Sequence, residues 1–147
     1  MPSSPLTPDE QRSLRALVGI IIPASARHGV PGADDDLIFS DILASLGADT
    51  SDIRDGLRRL DALAGGRFVD LGTAQQASVA ERFRASEAEL PPWVTVTVQC
   101  YYRDDRVMRA LGMEPRPPFP GGFTVEQGDW SLLDAVRGRP KLWRDAP

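Results

Sequence analysis

From Leu14 to Leu90, apolar residues recur three and four positions apart, in runs that Gly or Pro brings to a close. A chain built this way folds as packed helices, because only a helix gathers that spacing onto one face. Leu14, Leu17, Val18 and Ile21 make the first stripe. Thr7-Pro8-Asp9-Glu10 starts it: Thr7 can cap, Pro8 suits the first helical position, and Glu10 sits where a capping-box acid reaches back. Pro23 disfavours helix at Ile22, so the first helix is expected to end there.

The loop His28-Gly29-Val30-Pro31-Gly32 follows, with two glycines free to take positive φ. A second helix is expected from Asp34 to Leu46, carrying Leu37, Ile38 and Ile42. Asp34, Asp35 and Asp36 suit the positive end of its dipole, and Gly47 suits its C-terminal stop. Thr50 or Ser51 can cap a third helix with Ile53, Leu57, Leu60 and Leu63 inward and Arg54, Arg58 and Arg59 outward; Gly65-Gly66 ends it. Thr73 with Gln76 offers a capping box for a fourth, which bears Val79, Phe83 and Leu90 and ends at Pro91-Pro92.

Trp93 to Tyr102 (WVTVTVQCYY) carries two conflicting signals. Val94, Val96 and Val98 alternate with Thr95, Thr97 and Gln99, a strand pattern in strand-favouring residues. No second strand is available to pair with it, and a lone strand leaves its backbone groups without partners. Fold consistency therefore favours helix over local propensity. A short helix, Asp104 to Leu111, is stopped by Gly112.

Beyond it, Met113 to Pro147 holds six of the thirteen prolines, with Phe119, Phe123, Trp130 and Trp143 spread among them. Pro117 to Pro120 is expected to be extended, Gly121-Gly122 a turn, and Asp129 to Leu133 a single helical turn. The expected architecture is all-α: a single domain over 1–147, with a core of five to six helices at 6–112 and a long, irregular proline-rich arm at 113–147.

Composition narrows the chemistry. At 147 residues one domain can bury about two-thirds of its unfolded surface. The net charge of −4 gives no basic field for nucleic acid. One Cys (Cys100) and one His (His28) allow neither an intrachain disulfide nor a Cys/His zinc site of the usual kind. Lys141 is the sole lysine. No dinucleotide, P-loop or nucleophile-elbow motif occurs. Asp34 to Asp36 lacks the alternating acids of a calcium loop, so helix-start electrostatics explains it better. His28 reads as a solvent-facing loop residue, and Cys100, within an apolar run, as a buried inert thiol. No catalytic, cofactor-binding or metal-binding residue stands out. No export signal or membrane span is visible, so the expected compartment is the cytoplasm.

The remaining signal is aromatic. A tail of this length with little regular structure is usually functional or disordered, and Trp dominates interface energetics. Tyr101, Tyr102, Phe119, Phe123, Trp130 and Trp143 are thus the candidate partner-interface residues.

The motif order also carries a family likeness. Leu6-Thr7-Pro8 opens a helix running into Ile21-Ile22-Pro23-Ala24, and Pro31-Gly32-Ala33 precedes the second helix. Tyr101-Tyr102-Arg103-Asp104 steps into Val107, Leu111 and Gly112, and Arg116-Pro117-Pro118 leads towards Trp130. In these features the chain resembles the gluconate 2-dehydrogenase subunit 3 family, the small subunits of bacterial flavin-dependent sugar and polyol dehydrogenases. The resemblance implies a helical, non-catalytic subunit with no cofactor of its own. Its partner would be a large FAD-containing dehydrogenase of the glucose-methanol-choline type, which it helps to fold, mature or be exported. A c-type cytochrome often takes the electrons in such systems. Many members carry a twin-arginine signal that this sequence lacks, so a periplasmic location would need co-export with a signal-bearing partner. The alternative from another class is a free-standing helical enzyme using Asp, Tyr and Arg residues in a pocket.

Overall fold

The computed structural model describes residues 6–87, 91–117, 119–122 and 127–141. The chain divides into two compact units, Met1–Pro115 and Arg116–Pro147. Among the described residues it is all-α, with seven α-helices and no strand.

In the first unit, α1 (Pro8–Ile21) begins with the expected capping box: Thr7 N–H donates to Glu10 Oε2 at 2.7 Å, and Glu10 N–H donates to Thr7 Oγ1 at 3.3 Å. Ile22 is its C-cap, as the following proline requires. The helix α2 (Asp36–Ser45) starts later than expected. Asp35 is its N-cap, accepting from the Leu37 and Ile38 amides, and Asp34 lies outside it. Gly47 takes φ 47° and opens a tight turn into α3 (Thr50–Ala64). Neither Thr50 nor Ser51 caps α3. Thr50 is already helical and its hydroxyl donates to the Gly47 carbonyl at 2.9 Å.

The helix α4 (Thr73–Ser86) also shifts its cap by one residue. Gly72 is the N-cap, its amide donating to Gln75 Oε1, while Gln76 Nε2 donates to the Phe68 carbonyl instead. It stops at Ser86, short of the Pro91-Pro92 pair, and Leu90 lies outside the described residues. Two more helices follow: α5 (Pro92–Tyr102) and α6 (Asp105–Ala110), the latter capped by Asp104.

The strand-patterned segment is thus a helix, and the bundle is assembled around it: α5 touches α1, α2, α3 and α6. Its buried residues are Trp93, Val96, Thr97, Cys100 and Tyr101, spaced i, i+3, i+4, i+7 and i+8. The helical period was present, carried partly by Thr97 and Cys100, which hydrophobic patterning undercounts. A buried Trp removes roughly 150–250 Å² from water, worth about 4–6 kcal/mol at about 25 cal/mol per Å². Trp93 is 2% exposed and packs on Phe83 with ring centroids 5.7 Å apart.

Trp93 reaches this position because Gly56 of α3 has no side chain. A Cβ at Gly56 would overlap the Trp93 ring at Cζ3 and Cη2. A mid-helix glycine costs about 1 kcal/mol relative to alanine, and the burial of Trp93 outweighs that. Thr97 is the one imperfection at this level. Its side chain is fully buried and Oγ1 has no hydrogen-bond partner among the described residues. A buried hydroxyl left unsatisfied costs about 1–3 kcal/mol, so Thr97→Val is expected to stabilise the chain by about 1 kcal/mol. A higher urea midpoint with unchanged slope is the expected result; an equal or lower midpoint would show that the hydroxyl is satisfied.

The second unit holds a turn, Trp130–Leu133, running into α7 (Asp134–Arg137). Asp129 accepts from the Ser131 amide at 3.0 Å and from its hydroxyl at 2.6 Å, which starts the turn where the sequence places it. Gly122 takes φ 64° in the Gly121-Gly122 turn.

Candidate docking site

Three separated stretches meet at one place in the first unit. The loop after α1 folds back so that the Ala33 amide donates to the Ile22 carbonyl at 2.9 Å, and Ser25 and Val30 pair through both backbone groups. Gly32 is needed here for space and has no positive φ; that conformation belongs to Gly29 alone in this loop. A Cβ on Gly32 would sit 2.9 Å from the Ala24 amide nitrogen and 3.3 Å from the Ile22 carbonyl oxygen. From α5, Tyr101 Oη donates to the Pro31 carbonyl at 3.2 Å.

Ion pairs close this junction. Arg106 of α6 is bidentate to Asp35, at 2.6 and 3.2 Å, and donates again to Asp104 at 2.9 and 3.0 Å. Arg103 holds Asp41 of α2 at 2.5 and 2.6 Å and donates to Ser45 Oγ at 2.7 Å. Bidentate guanidinium–carboxylate geometry fixes orientation as well as distance. Hydrogen bonds from Arg106 hold the Asp35 and Asp104 carboxyls below the usual carboxylate range, and Arg103 does the same for Asp41.

The pH consequence follows from those directions. A carboxylate whose folded pKa is depressed contributes stability above its unfolded pKa, about 3.9, and loses it as pH falls through the folded value. Stability is therefore expected to hold at neutral and mildly acidic pH and to fall below about pH 4. Arg106→Leu should lower stability at neutral pH and make that acid loss shallower. Parallel pH profiles for variant and wild type would contradict the assignment.

The acid triplet does not act as a unit. Asp35 caps α2 and pairs with Arg106, exposed Asp36 pairs with Arg15, and the exposed Asp34 offers its carbonyl to Arg15 Nε at 2.9 Å. Among the described residues no group of three or more His, Cys, Asp and Glu side chains could hold a metal. His28 is exposed near the tip of its loop, and Cys100 is buried, with burial pushing its thiol pKa up. Arg54, read as outward-facing, instead pairs with Glu10 at 2.8 Å and ties α3 to α1. Burial works to raise the Glu10 pKa, and hydrogen bonds from Thr7 and Arg54 together outweigh it, leaving a net depression.

The proposed interface residues divide. Tyr101 is 4% exposed and belongs to the core, so it has no open face to offer a partner. Tyr102, edge-on to it with centroids 5.3 Å apart, is 52% exposed beside the junction. Phe119 and Trp130 are exposed, together with Leu132 and Val136, which the sequence did not single out. Phe123 and Trp143 lie outside the described residues.

One feature is visible only in the fold. A groove of about 480 Å³ lies between α1, α4 and α5, lined by Leu17, Ile20, Ile21, Phe83, Trp93 and Val94, with Glu81, Arg84 and Glu87 as its charged members. Arg84 is paired with Glu81, and Arg59 with Glu87. Leu17, Ile21, Phe83, Trp93 and Val94 each stand out in the sequence, but nothing there brings them to one groove. Asp34, Asp35, Asp36, Tyr101 and Tyr102 do not line it. No described helix is long and apolar enough to cross a membrane.

No family model, curated protein or solved structure matches the chain.

Proposed function

We propose that this chain is the non-catalytic small subunit of a bacterial FAD-dependent dehydrogenase of the glucose-methanol-choline type. In this reading it binds the large catalytic subunit and stabilises or matures it, while FAD and the chemistry reside in that partner. A c-type cytochrome is the further partner that accepts electrons. The supporting observation is the convergence of stretches on which the family resemblance rests. The Ile22 carbonyl, the Pro31-Gly32-Ala33 turn and the Tyr101-Tyr102-Arg103-Asp104 step meet in one junction, Ala33 donating to Ile22 and Tyr101 to Pro31. Residues scattered over the sequence thus serve one architecture, which is what a family pattern encodes. Exposed Tyr102, Phe119 and Trp130 supply aromatic surface of the kind that anchors protein interfaces.

The test is co-expression with a large flavoprotein dehydrogenase of the glucose-methanol-choline type from the same genome, with an affinity tag on this chain. Recovery of a yellow complex containing both chains is expected. Recovery of the tagged chain alone, with the flavoprotein soluble in the unbound fraction, would overturn the proposal.

A further inference from the structure

We draw no further inference here: the strongest candidate, the apolar groove between α1, α4 and α5, is an unpartnered face and nothing in the structure shows what covers it.

Discussion

Gly56→Ala is expected to unfold at a lower urea concentration, by an amount equivalent to about 2–3 kcal/mol. Helix propensity alone predicts the opposite, since alanine in mid-helix is worth about 1 kcal/mol more than glycine. The added methyl would overlap the Trp93 ring, which is 2% exposed and packed on Phe83. Relief comes either from moving the indole off Phe83 or from separating α3 from α5, a helix that also touches α1, α2 and α6. Overpacking of a well-filled core usually costs about 1–3 kcal/mol, and this site belongs at the upper end because the obstacle is a rigid indole. A second change, Trp93→Phe, shortens the ring, and combining it with Gly56→Ala should recover part of the loss. Stabilisation by Gly56→Ala alone, as propensity predicts, would show that the two helices do not approach as described.

Removal of the second unit is expected to separate folding from docking. A chain ending at Pro115 keeps every buried core residue among the described residues, from Leu6 to Val107. It should retain the helical circular dichroism and cooperative unfolding of the first unit, yet lose capture of the flavoprotein. The point variant Trp130→Ala is the milder form of the same experiment. An interface anchor of this kind contributes about 2 kcal/mol or more, equivalent to about a 30-fold rise in Kd. Surface-plasmon titration of the flavoprotein on immobilised chain reads that change directly. Unchanged affinity in both variants would move the docking surface onto the first unit, where Tyr102 is the exposed aromatic.

What was legible in the sequence depended on whether the deciding force was local. The start and end of α1 follow from Thr7, Pro8, Glu10 and Pro23, all within a turn of the groups they act on, and both were readable. The helix at Trp93 to Tyr102 was reached only through the lack of a partner strand. Its own residues carry a helical stripe that Thr97 and Cys100 disguise. The caps of α3 and α4 fall on Asp49 and Gly72, neither of which caps through its side chain, while Thr50 and Gln76 bond instead to the preceding turns at Gly47 and Phe68. The role of Gly56 was invisible because its meaning lies in Trp93, far along the chain. Arg54 was taken for a surface residue for the same reason: its partner, Glu10, is on another helix. At the candidate site, Tyr101, offered by the sequence as an interface residue, is buried in the core. An aromatic pair says that large surface must be covered, but not whether a helix or a partner covers it. The Arg103 and Arg106 ion pairs left a visible trace in the acids at Asp35, Asp41 and Asp104, which could not be matched to them without the fold.

A role in maturing the partner is read most directly from the flavin content of a large dehydrogenase subunit made with and without this chain. If the chain stabilises or matures its partner, soluble large subunit with bound FAD should rise several-fold on co-expression, and both chains should elute together. Equal yield and equal flavin occupancy in its absence, with the two chains eluting apart, would contradict a small-subunit role.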